Sequence, residues 1–311
     1  MSNTYKCIDA GSEFCPCHLA ETMDCISCSQ LQGKNTCDCG WNGVCILNEF
    51  YMNNKKVNGS RKAYSGYVIL NKEIYSNVFM LKIKTDKNLV KQLNRSGSYV
   101  LLKAIDKDYF YNVPMSILDL DGDEYFYIVY KNKGSKTKSL DKVEILDIKG
   151  PYWNGIQGIN YLKQVKNSNC LVIARGIGQS SVVLPIREMI RNSNKIFLFL
   201  DSGNMNLDYA LDFLNDDLTV IKGDLYKDSQ KIQELIINNN IKLVFSSGSD
   251  LVHNHIINLI KDVNENINYM TSNNSTICCS EGICGSCIRR IETGKKVRMC
   301  KSQLNPKKLF S

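Results

Sequence analysis

Four cysteines near the C-terminus have the types and spacing to hold a metal cluster. Cys279, Cys284 and Cys287 form C-x4-C-x2-C, and Cys300 follows thirteen positions after Cys287. That is the spacing of a plant-type [2Fe–2S] site, with three thiolates from one tight loop and one from a neighbouring segment. Gly282 and Gly285 let such a loop curl without a Cβ clash. A four-cysteine zinc site is the competing chemistry, but it usually comes as two separated C-x2-C pairs. A cluster here would make the protein a carrier of electrons.

Eight of the fourteen cysteines lie in residues 1–50, namely Cys7, Cys15, Cys17, Cys25, Cys28, Cys37, Cys39 and Cys45. Cys25 and Cys28 make a good metal pair, whereas the C-x-C pairs Cys15/Cys17 and Cys37/Cys39 are sterically poor as internal disulfides. Eight thiols suffice for two four-ligand sites. An additional Fe–S cluster or a structural zinc is therefore expected at the N-terminus, with disulfides or free thiols as the remaining reading. A 50-residue module with few large apolar residues needs such help to fold. His18 is a further candidate ligand among these cysteines. His253 and His255, two apart on an expected helix, point to different faces and read as structural. Cys170 and Cys278 read as packing residues. No Ser-His-Asp or paired-carboxylate arrangement stands out, so no catalytic side chain is assigned.

The elements that must position these groups fall into regions. Residues 1–50 are a Cys-rich module and 51–62 a polar linker. Residues 63–150 carry candidate strands at 64–70, 78–84, 98–104, 125–130 and 142–148, rich in Val, Ile, Tyr and Phe, with turns at Asp121-Gly122 and Lys133-Gly134. Short strands without helices between them predict a small antiparallel barrel. Over 151–272, strand candidates at 171–174, 196–200, 218–221 and 241–245 alternate with helical patterns near 181–191, 206–214, 229–238 and 250–262, which predicts a parallel α/β sheet. Residues 273–311 hold the cysteine loop. The fold class is thus α+β and multidomain, a barrel then an α/β domain, with Cys-rich modules at both ends.

Two glycine turns follow strands of the α/β region. Arg175-Gly176-Ile177-Gly178 ends one strand and Ser247-Gly248-Ser249-Asp250 another, where an open α/β sheet binds its ligand. The first lacks the third glycine of the full dinucleotide fingerprint, so an ordinary strand-to-helix turn fits it equally. Ser249 or Asp250 is suited to cap the second helix.

Taken together, the order barrel, α/β domain, C-x4-C-x2-C…C resembles the dihydroorotate dehydrogenase electron-transfer subunits of the ferredoxin–NADP reductase superfamily. Pro114-Met115-Ser116-Ile117 looks like the family's flavin-binding R-P-x-S-I segment. Gly134, Thr137 and Leu140 look like G-x-G-T-x-x-L, and Gly150-Pro151…Asn154-Gly155 like G-P-L-G-N-G. Gly176 and Gly178 resemble its nicotinamide-nucleotide loop, and Ser247-Gly248 its C-G-P loop. The resemblance covers roughly residues 63–303 and implies FAD, NAD(P) and a [2Fe–2S] cluster as cofactors, with hydride passing between NAD(P)H and FAD and single electrons reaching the cluster. The chain departs from the pattern at Val113, where the family has a pyrophosphate-binding arginine, at Trp153 in place of glycine, and at Ser247 in place of cysteine.

Composition bounds the rest. With 43% hydrophobic and 23% charged residues the chain reads as a soluble globular protein. No stretch approaches the roughly 20 apolar residues of a membrane span, and the N-terminus lacks the apolar core of a signal peptide. A cytoplasmic location is expected, where thiols stay reduced and serve metals rather than disulfides. The net charge of +8 is uneven, with six acids against two lysines in 1–50 and eight Lys or Arg against Glu281 and Glu292 in 273–311. The basic end is either a solvated surface or a docking surface for an acidic redox partner, such as a ferredoxin or a separate catalytic subunit. No nucleic-acid motif is present. The sequence reads as an iron–sulfur flavoprotein oxidoreductase, and the alternative is a non-catalytic Fe–S redox sensor or scaffold subunit without flavin or nicotinamide binding.

Overall fold

The computed structural model describes residues 6–105, 112–214, 218–291 and 294–309, so Glu292 of the basic end lies outside the described residues. Seven antiparallel strands form the first sheet, in the spatial order Val113–Ser116, Tyr99–Ala104, Ile145–Tyr152, Ala63–Tyr75, Val78–Lys84, Tyr125–Lys131, Asp119–Asp121. Its two edge strands are consecutive in the chain. The Ile117 amide donates to Ser98 O and the next amide, of Leu118, to Tyr127 O, so neighbouring residues bond to opposite edges and the sheet curls into a barrel. Pro114 sits on an edge strand, which can spare the missing N–H. That proline is also why the sequence shows no strand there. Inside, Leu81, Ile83, Phe126, Ile128, Leu146 and Ile148 pack from alternate positions of their strands.

The second sheet is parallel at its centre. Its order is Thr219–Lys222, Lys195–Asp201, Asn169–Arg175, Leu243–Ser247, Asn268–Ser272, with Ile156–Gln157 added antiparallel at the edge. Helices Val183–Arg191, Ser229–Asn238 and Asp250–Val263 cover it. The expected helix over 206–214 is only a 3-10 turn at Tyr209–Phe213, and the strand Asn268–Ser272 is one that periodicity did not single out. Barrel and α/β domain share a core, because Val78, Leu118 and Val129 pack with Val172, Ile186 and Leu198. Across the same joint Arg187 donates to both oxygens of Asp119 and, at 2.7 Å, to Phe213 O.

The two Cys-rich ends lie side by side. Lys6–Cys7 pairs antiparallel with Ser302–Gln303, and the Ile8 amide donates to Lys301 O at 2.8 Å. Beneath this ribbon lies a buried quartet of charges. Arg61 contacts Asp9 at 2.8 Å and Glu281 at 3.3 Å, while Lys301 contacts Asp9 at 2.6 Å and Glu281 at 3.1 Å. Arg61 belongs to the polar 51–62 stretch, yet it is only 4% exposed and its guanidinium lies over Phe14 and Tyr152, 4.1 and 4.3 Å from the ring centres. Burial alone would push the Asp9 and Glu281 carboxyls up, but Lys301 and Arg61 hold both below their ordinary range. Removing one partner of a buried pair typically costs about 3–5 kcal/mol. Arg61→Ala is therefore expected to lower the urea midpoint sharply, whereas Lys34→Ala, at the exposed pair with Asp38, leaves it unchanged.

Candidate functional site

In the second sheet the order reverses between the strands ending at Arg175 and Ser247, and the loops leaving them diverge. A crevice of about 400 Å³ opens there, walled by Ser116 and Gly155 from the barrel side and by Arg175, Gly178, Ser181 and Gly248 from the α/β side. Its two glycine loops are in close contact. A Cβ on Gly178 would lie 2.4 Å from Ser247 O, so only glycine permits this approach. The Ser247 hydroxyl donates to Gly178 O and meets the Ser181 hydroxyl, both at 2.7 Å. A 3-10 turn, Gly176–Ser181, separates the first loop from its helix, and Ser249 stands at the N-cap of the second without bonding a helix amide through its side chain.

At the wall, the Arg175 guanidinium sits 4.7 Å from the centre of the Tyr226 ring and pairs with Asp201 at 3.2 Å. Below the Gly248 loop His253 is fully buried. Its Nδ1 bonds the Ser246 hydroxyl at 2.7 Å, and its Nε2 lies 3.1 Å from the Ser272 hydroxyl and 3.0 Å from Asn274 Nδ2. Burial, opposed by nearby Asp250, pushes the ring down to about 4. His255 bonds Ser229 instead, and His18 bonds Glu21, each at a different surface.

Of the residues with expected cofactor roles, Ser116, Gly155, Gly178 and Gly248 line the crevice, and Pro114, Met115, Gly134, Thr137, Gly150 and Gly176 do not. Gly155 is stacked on Gly97, with its Cβ position 2.7 Å from Gly97 O. Val113 faces the barrel core at 3% exposure. The amides of Lys133 and Gly134 are already bonded to the Thr137 hydroxyl, at 3.0 and 3.2 Å. Ser116 thus stands at the crevice, whereas the Val113 side chain lies in the barrel core and the Gly134 amide is already bonded. Sequence reasoning assigned no site role to Ser181, Tyr226 or Asn274, which belong to no glycine motif.

The C-terminal thiols group as two pairs. Cys279 accepts from the amides of Glu281 and Cys284 at 3.4 and 3.5 Å. Cys287 accepts from the Cys300 amide at 3.4 Å. Cys279 is within electrostatic range of Cys300, which joins the pairs. Ser280, Gly282 and Gly285 all have positive φ (58°, 80° and 76°), so the loop coils tightly around these sulfurs. Although burial pushes the Cys284 thiol up, bonds from the Ser286 hydroxyl and amide outweigh it and hold it at about 7. Among the described residues, no group of three or more His, Cys, Asp or Glu is arranged to hold a metal ion. Cys278 adjoins Cys284, and Cys170 is fully buried in the sheet core.

No protein-family model matches the chain, and no curated protein is similar to it. Solved structures are similar. The NADH-dependent reduced ferredoxin-NADP oxidoreductase superposes with a TM-score of 0.60 at 17% identity, covering 76% of this chain and 85% of that one. The ferredoxin reductase of carbazole 1,9a-dioxygenase, in its FAD apo form, gives 0.51 at 15% identity over 68% and 67%. A mutant of the Plasmodium falciparum ferredoxin-NADP+ reductase with 2'P-AMP gives 0.51 at 12% over 68% and 96%. The fold is that of the ferredoxin reductases. At these identities the likeness concerns the fold.

The buried imidazole sets a pH dependence. The unfolded chain takes up a proton on His253 below about 6.5, and the folded one not until about 4. Stability is therefore expected to fall as pH drops through that window. Urea midpoints at about pH 7 and about pH 5 should differ less in His253→Gln than in the parent protein.

Proposed function

We propose that the chain is an electron-transfer oxidoreductase using NAD(P), FAD and a [2Fe–2S] cluster held by Cys279, Cys284, Cys287 and Cys300. The observation that carries this reading is the pairing of Cys279 with Cys284 and of Cys287 with Cys300 through amide-to-sulfur bonds. A two-iron cluster takes two thiolates at each iron, so the donor set fits that group better than one tetrahedral ion. Amide N–H groups already directed at Cys279 and Cys287 stabilise the thiolate charge such a ligand must carry. The bound groups would supply the redox chemistry. The chain's own residues shape the crevice, and Arg175 offers a planar cation to a phosphate-bearing ligand.

The likeness in fold to ferredoxin reductases supports the oxidoreductase class and a protein partner. The basic end narrows where a partner such as a ferredoxin or a separate catalytic subunit would dock. Arg289, Arg298 and Lys301 are engaged in ion pairs with Asp250, Asp24 and Asp9. Exposed Arg290 and Lys296 lie on the hairpin that follows exposed Ile283 and Cys284.

A second reading, a non-catalytic Fe–S sensor or scaffold subunit, is favoured by Val113 in the barrel core and by the self-bonded amides at Gly134. Anaerobic purification followed by an absorption spectrum and flavin, iron, sulfide and zinc assays separates the two. Flavin with iron and sulfide is expected. Iron and sulfide without flavin would favour the second reading, and zinc alone would defeat both.

A further inference from the structure

We infer that the N-terminal segment holds a second iron–sulfur centre on Cys7, Cys15, Cys17 and Cys25. This goes beyond the function proposed above, which needs only the C-terminal thiols. These four, out of eight N-terminal cysteines, line one cavity together with Phe14, Pro16, Leu19, Ala20, Ile26 and Ile46. Asp9 and Ser27 line it as well, so it is a narrow and largely apolar slot with two polar groups at its wall. Cys17 is within electrostatic range of Cys7, Cys15 and Cys25, so the thiols face a common space.

One of these sulfurs also receives a backbone amide, from Cys28 to Cys25 at 3.4 Å. The same decoration marks Cys279 and Cys287 at the other end. Burial and then Asp9 push the Cys7 thiol well above its ordinary range, and Lys301, 1% exposed, opposes them in part. The sequence suggests Cys25 and Cys28 as a metal pair, but Cys28 does not line the cavity, and Cys37 and Cys45 are exposed.

An iron–sulfur cluster fits better than zinc. Zinc gathers four sulfurs about one point at roughly 2.3 Å, and among the described residues no such convergence exists. A cluster spreads its thiolates around a larger core. The location is also that of a redox neighbour. Leu19 lines this cavity, packs with Cys287 and Cys300, and abuts Gly282 of the C-terminal loop, where a Cβ would lie 3.0 Å from its Cδ1. One side chain thus separates the two thiol groups.

The test uses full-length Cys279→Ser/Cys284→Ser protein, reconstituted anaerobically with ferrous iron and sulfide. It should retain iron and acid-labile sulfide with a cluster absorption, and adding Cys15→Ser/Cys25→Ser should abolish both. Absence of iron from the first variant, or zinc without sulfide, would overturn the assignment. Because Cys15 and Cys25 are buried, Cys37→Ser/Cys45→Ser serves as a second variant at exposed thiols. It should keep the parent iron content, and loss of iron there would overturn the choice of ligands. Equal iron in the parent and in Cys279→Ser/Cys284→Ser would count against the C-terminal centre and leave this one standing.

Discussion

Arg61, Lys301, Asp9 and Glu281 are buried together, and their four charges come from four separate parts of the chain. Asp9 follows the first strand, Arg61 closes the N-terminal module, Glu281 sits inside the cysteine loop, and Lys301 follows Cys300. Taking any one of them out of water costs several kcal/mol, and only close opposite charges offset that cost. Each cation touches both carboxylates, so an incomplete quartet would leave a buried charge short of a partner. The arrangement therefore favours one docking of the two cysteine-rich ends over partial ones. Arg61 adds to this by lying against Phe14 and Tyr152, one ring from the N-terminal module and one from the barrel.

The position of the cysteine loop follows from that constraint. Tyr152 donates to Glu281 at 2.9 Å, while Asn154 donates to Ser302 O at 3.0 Å and Asn273 to Met299 O at 2.9 Å. Residues 152–155 thus hold the loop from the barrel side and continue directly into the crevice at Gly155. The thiols and the crevice are thereby tied to one stretch of backbone. The Arg187–Asp119 pair does the same for the joint between barrel and α/β domain.

Much of the architecture was legible in periodicity. The strands Val78–Lys84 and Tyr125–Lys131 and the helices Ser229–Asn238 and Asp250–Val263 lie within a residue or two of where side-chain patterning puts them. Short or interrupted elements were not, since Val113–Ser116 contains a proline and Asp119–Asp121 has three residues. The pairing of the two termini was also invisible, because it depends on charges nearly 300 positions apart in the chain rather than on any local signal. At the site, spacing grouped Cys279, Cys284, Cys287 and Cys300, and glycine turns marked Gly178 and Gly248. Among the N-terminal cysteines, Cys25 lines the cavity and Cys28, three positions on, bonds Cys25 through its amide without lining it.

The central claim is that crevice and cysteine loop form one electron path. Its most direct test is low-temperature electron paramagnetic resonance of anaerobic protein holding both flavin and iron, mixed with NADH or NADPH and frozen. The account predicts the signal of a reduced [2Fe–2S] centre in the parent protein and its loss in Cys287→Ser. A preparation with both groups bound that shows no such signal with either nucleotide would contradict it.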